Sequence, residues 1–314
     1  DLRFAENRVP RDRMTLDTIL EATSAESANR QRRDSLATLQ RKVEKMGPTR
    51  GFARALRQQP FAVIAEIKRK SPSMGVINED AIGAALETYH THPVVAAISV
   101  LTQSSHFGGS TDDLEKVRQL TQRRPKPILR KDFIRTDYEV YYSRWIGADA
   151  ILLMANVVTD KDEFRRLHDL ALSIGLDVLC EIHDASEVDL LPASAKVCGI
   201  NSRRFKGVTQ AKPLSLRIRE KLSPFIGAIG PSRDMQTDLA TFALFERLPP
   251  GSIRVAESGI SSDNIADVLE KYPFNAALIG TSLLKKTAAD MVRQLDTIER
   301  ESARVLRPVA PAAS

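Results

Sequence analysis

Cysteine is nearly missing from this 314-residue chain, with Cys180 and Cys198 its only two, each inside an apolar run. Such usage favours buried free thiols over a disulfide or redox role and suits a reducing compartment. No Cys/His grouping has zinc-site spacing, and among the five histidines His183 reads as a strand-end surface residue rather than a ligand. Long apolar runs are missing too. The longest nearly apolar stretch, Ala148–Val158, is too short and too punctuated to cross a bilayer. The chain opens on Asp1 with no n-region, h-region and cleavage-site pattern. The expected location is therefore the cytoplasm, or an organelle such as a plastid if a targeting segment precedes Asp1. No dinucleotide fingerprint is visible.

The composition that remains, 42% hydrophobic and 27% charged, is that of a globular protein. The length suits one large α/β domain or two ordinary ones. The net charge is +6, and residues 1–60 hold 13 Lys and Arg against 8 Asp and Glu. The run Arg30-Gln-Arg-Arg33 lies in a helix-like stretch without aromatic interleaving. A solvated helix face, or attraction of an anionic small substrate, explains it better than nucleic-acid binding.

In chain order, residues 15–46 read as helix. Leu36, Leu39, Val43 and Met46 recur at helical spacing, and Gly47-Pro48 stops the run. A short helical pattern follows at Phe52–Leu56. Then apolar runs suited to parallel strands alternate with helix-like segments. The runs are Ala62–Ile67, Ala96–Leu101, Pro127–Arg130, Ala148–Met154, Asp177–Ile182, Lys196–Ile200, Ile253–Ala256 and Ala276–Ile279. Helix starts are signalled at Ser110-x-x-Asp113, Thr136-x-x-Glu139 and Thr159-x-x-Asp162. Eight such units fit a closed (β/α)8 TIM barrel better than an open sheet. Within the long sixth connection, Pro224–Pro231 could pass for a strand, but a ninth strand would spoil closure. It is read as part of an enlarged connection at 205–252. The expected division is an N-terminal helical extension over 1–60, the barrel over 61–296 and a tail over 297–314.

Active sites of such barrels lie at the C-terminal strand ends. Glu66 and Lys68, two residues apart, share one face of the first strand. Lys131 follows the third strand, Glu181 ends the fifth and Asn201 follows the sixth. Glu257-Ser258-Gly259 and Gly280-Thr281 end the last two. A ring of acids, bases and amides on this many strand ends indicates a working site rather than isolated ion pairs. The small residues at the seventh and eighth ends let backbone amides approach a phosphate. A lysine near a second lysine in a desolvated site should have a lowered pKa and act as a general acid near neutrality, with carboxylates accepting protons. No metal-binding cluster is visible, so acid–base chemistry without metal or cofactor is the simplest expectation. A Schiff-base lysine uses the same residue types and stays open.

The motifs IAEIKRKSPSMG, ISVLTQSSHFGGSTDDL, PILRKDFI, GADAILLMA, DVLCEIHD, GINSR, VAESGI and LIGTSLL, in this order from about Leu16 to Asp290, resemble the indole-3-glycerol phosphate synthase family of tryptophan biosynthesis. The resemblance implies a (β/α)8 barrel whose N-terminal extension, residues 15–56, covers the active-site end. It implies a carboxy-lyase that closes an indole ring in 1-(2-carboxyphenylamino)-1-deoxyribulose 5-phosphate, releasing carbon dioxide and then water. Carried over by position, Lys131 is the general acid of ring closure. Lys68 binds the anionic substrate and can supply the second acid. Glu181 is the acid/base of dehydration, with Glu66 orienting or assisting it. Asn201, Arg203 and Glu257 hold the substrate, and Ser258, Gly259, Gly280 and Thr281 cradle its phosphate. Ser71 lies at the edge, and Pro72, Phe107 and Phe133 form the slot for the aromatic ring. Three departures stand out: Ser202 where the family usually has a second Asn, Thr281 for a usual Ser, and the long 205–252 connection. The implied partner is a phosphorylated small molecule, with no nucleic acid or membrane; association with other enzymes of the pathway is left open. Two alternatives compete. One is a related phosphate-binding barrel such as phosphoribosylanthranilate isomerase, and the other is a non-catalytic paralogue.

Overall fold

The computed structural model describes residues 15–71, 75–76, 79–205, 235–284 and 286–307. Eight parallel strands close a barrel in sequence order: β1 Ala62–Ile67, β2 Val95–Leu101, β3 Ile128–Lys131, β4 Ala150–Met154, β5 Asp177–Ile182, β6 Val197–Asn201, β7 Ile253–Glu257 and β8 Ala276–Ile279, with β8 returning to β1. These bounds differ from the expected ones by at most two residues. Residues 224–231 lie outside the described part, and the barrel closes on eight strands among the described residues.

The period of two along each strand sorts side chains into two cores. Ile64, Ala97, Leu129, Leu152, Leu179, Val197, Val255 and Leu278 fill the barrel interior. Their neighbours Val63, Ala65, Ile98, Ile128, Ile151, Val178, Cys180 and Cys198 face the surrounding helices. Both thiols are free and buried, as expected. The same alternation turns Glu66, Lys131, Glu181 and Glu257 to the inner face at the strand ends.

The N-terminal segment runs the height of the barrel. Leu16 and Ile19 of α1 (Leu16–Arg33) join the interior cluster containing Phe107 and Phe133 at the mouth, and Glu26 accepts hydrogen bonds from Ser104 and Ser105 in the loop after β2. Next comes α2 (Leu36–Val43), packed against α5 (Asp137–Trp145). Finally α3 (Phe52–Arg57) sits under the opposite, N-terminal end, where Ala53 N–H donates to Asp177 Oδ2 at 2.9 Å and Arg50 N–H to Asp149 Oδ1 at 2.8 Å. Only the first part of residues 15–56 is therefore at the active-site end.

Three local expectations need correction. The continuous helix over 15–46 is broken at Asp34–Ser35, because the Ser35 hydroxyl caps a new helix by accepting from Thr38 N–H at 3.2 Å. The helix Lys161–Ser173 is capped by Asp160, not Thr159, through Glu163 N–H. Asp113 does not complete a capping box with Ser110: it makes a two-pronged pair with Arg69 at 2.6 and 2.7 Å, tying the end of β1 to α4 (Thr111–Leu120). The Thr136–Glu139 box forms as expected. Position 297 falls inside one continuous helix, Ala288–Val305. Among the described residues no helix is long and apolar enough to cross a membrane.

Candidate active site

The mouth of the barrel holds a cavity of about 350 Å³. It is lined by Glu66, Lys68, Phe107, Lys131, Phe133, Glu181, Asn201, Arg203, Glu257, Ser258, Gly259, Gly280 and Thr281, so thirteen of the fifteen candidate residues converge there. Pro72 lies outside the described residues, and Ser71 is placed only by its backbone, in a two-residue ladder of Lys70–Ser71 with Gly75–Val76.

Lys68 Nζ donates to Glu66 Oε1 at 2.6 Å and to Thr281 Oγ1 at 2.9 Å, joining the end of β1 to the second residue after β8. The Thr281 hydroxyl, expected at the phosphate, is thus the anchor of Lys68. Gly280 has a second reason to be glycine: a Cβ there would lie 2.6 Å from Glu66 Oε1.

Lys131 Nζ stands 3.7 Å from Glu181 Oε2 and 3.8 Å from Glu257 Oε2. Burial works against its charge, but Glu181, Glu257 and Glu66 outweigh burial and raise its pKa. The expected lowering by a second lysine is therefore corrected. Three carboxylates, not Lys68, dominate its surroundings, and Lys131 is firmly an ammonium.

The two carboxyls beside it are not equivalent. Burial alone would raise Glu181, yet Lys131 and His183 hold it well below the usual carboxylate range. Glu257 is raised well above that range by burial and by the charge of Glu181. Glu181 Oε1 is met by His183, whereas neither oxygen of Glu257 has an aligned hydrogen-bond partner. Native structures rarely leave such groups unpaired, so the arrangement points to a polar ligand that supplies the missing partners.

His183 overturns its expected surface position. It is 3% exposed, with Nε2 3.1 Å from Glu181 Oε1 and Nδ1 3.5 Å from Glu187 Oε2. Burial opposes its charge, but the two carboxylates raise its pKa to about 10. The two-residue offset from Glu181 was the available signal. Gly199 was missed too: a Cβ there would sit 1.9 Å from Glu257 Oε1, so only glycine leaves room for that carboxyl.

One wall is apolar. Phe107 and Phe133 stack with ring centroids 6.4 Å apart, beside Leu101, Leu152, Met154 and Leu278. Phe133 is set by a buried network the sequence reading missed. Asp132 accepts from Phe133 N–H at 2.9 Å, from Thr102 Oγ1 at 2.6 Å and from Arg130 at 2.7 Å. Gln103 sets Phe107 by accepting its N–H at 3.3 Å.

The opposite wall is backbone. Ser258 and Gly259 both take positive φ, 65° and 73°, the left-handed conformation that is unusual for serine. Ser202 Oγ donates to Ser258 O at 2.9 Å and its N–H to Glu257 O at 2.9 Å, so serine at 202 braces this loop.

A family model described as indole-3-glycerol phosphate synthase matches residues 16–224. The indole-3-glycerol phosphate synthase of Lachnospira eligens is 34% identical over 87% of this chain and 92% of its own. That of Koribacter versatilis is 36% identical over 86% of this chain and 94% of its own. Among solved structures, 3-hexulose-6-phosphate synthase from Salmonella typhimurium covers 77% of this chain and 99% of its own with a TM-score of 0.51 at 13% identity, a likeness of fold alone. These matches favour neither an isomerase nor a non-catalytic barrel. On the family model and the relatives together, the chain belongs to the indole-3-glycerol phosphate synthase family.

Proposed function

We propose that the barrel mouth closes an indole ring in 1-(2-carboxyphenylamino)-1-deoxyribulose 5-phosphate, as a carbon–carbon lyase of the carboxy-lyase kind, without metal or cofactor. One observation carries this reading: Lys131 stands 3.7 Å from Glu181 and 3.8 Å from Glu257, in a cavity with an aromatic wall on one side and a small-residue wall on the other.

The benzoate ring lies in the Phe107–Phe133 slot, where stacking adds about 0.5–1.5 kcal/mol beyond area burial. The phosphate lies against the amides of Ser258–Gly259 and Gly280–Thr281, with Arg203 and Asn201 near it. The ring carbon bearing the carboxylate attacks the sugar carbonyl, and Lys131 gives its proton to the oxygen as negative charge develops. An ammonium of raised pKa is a weak acid, but a forming alkoxide is far more basic than an amine, so the transfer runs downhill. Carbon dioxide leaves with the carbon–carbon bond electrons returning to the ring. Expulsion of the hydroxyl as water then needs one proton delivered and one removed. Glu181 takes the latter, and Lys68 or Lys131 supplies the former. His183 is a positioning residue that keeps Glu181 ionised and fixed.

Supplying that substrate to the purified protein should generate indole fluorescence, with a rate unaffected by a chelator. Absence of product between pH 6 and 9 would sink this reading.

A further inference from the structure

A second cavity, of about 560 Å³, opens at the other end of the barrel, where α3 meets the starts of β2 and β3. Its size is within the range of small-molecule sites, about 300–1,000 Å³. Arg50, Arg54, Arg124 and Lys126 line it together with His90, and no Asp or Glu is among its lining residues.

What these cations touch is unusual. The Arg50 guanidinium donates to Thr121 Oγ1 at 2.6 Å, Lys126 O at 2.9 Å and Arg118 O at 3.1 Å. Lys126 Nζ donates to His92 O at 2.9 Å and to Val95 O, and Arg54 donates to Arg50 O at 3.2 Å. All these acceptors are neutral. Asp149, the carboxylate that interacts with Arg50, spends its oxygens on the backbone N–H groups of Arg50 and Ile128 at 2.8 and 2.9 Å. His90 Nδ1 is buried without a partner. Burial, with the charge of Arg124, pushes the Lys126 amine down to about 8, the mark of a cation lacking a counter-charge.

Backbone carbonyls and the Thr121 hydroxyl hold Arg50, Arg54 and Lys126 and leave their charge unspent, so the cavity is an electropositive cup. We propose that it is a second ligand site, taking a compact polyanion that carries two or more phosphate or carboxylate groups. It is distinct from the mouth and independent of the chemistry assigned there. The cavity has no Phe, Tyr or Trp in its lining on which bases could stack, which favours a small anion over a nucleic-acid strand.

The test is calorimetric titration of the whole protein with inorganic pyrophosphate and, separately, with citrate, in the wild type and in an Arg54→Ser/Arg124→Ser variant. Both substituted side chains are exposed, so the fold should survive, and the melting temperature without ligand checks that it does. Saturable binding of either anion that weakens about tenfold or more in the variant supports the site, since the variant loses charge-assisted contacts to the anion. Which anion binds tells phosphate from carboxylate chemistry. Equal binding in both proteins would place the anion at the mouth and overturn the proposal. Binding of neither anion, or tighter binding of a short RNA, would overturn it too.

Discussion

The two ends of this barrel use the same kinds of residue to opposite purposes. At the N-terminal end, Asp149 and Asp177 take backbone N–H groups from Arg50, Ile128 and Ala53, so their oxygens are used to hold strand starts and α3 together. At the mouth, Glu181 and Glu257 are fully buried, yet neither takes a backbone N–H: Glu181 is held by His183, and the oxygens of Glu257 have no aligned partner. A satisfied carboxylate stabilises a fold, and an unsatisfied one costs stability until a ligand arrives. The difference separates scaffold from working site without reference to any relative.

The comparison can be broken by substitutions at each end. The largest expected effect is Lys131→Met, which should lower kcat by about 10²–10⁴-fold, the usual worth of a general acid, with an unchanged far-UV circular dichroism spectrum. An unaltered rate would remove Lys131 from the mechanism. Gly199→Ala should cost both activity and stability, because the added methyl needs the space of the Glu257 carboxyl. A loss of about 1–3 kcal/mol in urea unfolding is expected, as for other overpacked sites. Asp149→Ala should do the reverse of Lys131→Met: about 1–3 kcal/mol of stability lost through two orphaned amides, with kcat and KM unchanged.

The smallest effect concerns His183. Its folded value of about 10 lies above the ordinary 6.5, so its contribution to stability is complete below pH 6.5 and is lost as pH rises through 10. The gap in urea midpoint between wild type and His183→Gln should therefore shrink from pH 6.5 to 10. A constant gap would mean that the imidazole acts by packing alone.

Much of this was legible in advance. The strand runs and the polar groups at their ends appear in the sequence because a strand buried on both faces must be apolar until it emerges at the rim. Glu66 and Lys68 were read as sharing a face, and they meet at 2.6 Å. What stayed hidden was set by neighbours distant in sequence. Gly199 looks like any strand glycine until Glu257, from the next strand, is placed over it. His183 looks like a surface residue until Glu187 folds back to its other side.

The sequence by itself determined which residues reach the mouth, through the period of two along eight apolar strands. Only the tertiary structure decided what each is once there. Glu181 and Glu257 are the same side chain on equivalent strand ends. The pKa of one is held low and that of the other is raised because Lys131 and His183 stand against Glu181, while burial and the Glu181 charge raise Glu257. Electrostatic environment depends on distance in space, which no local pattern of residues encodes.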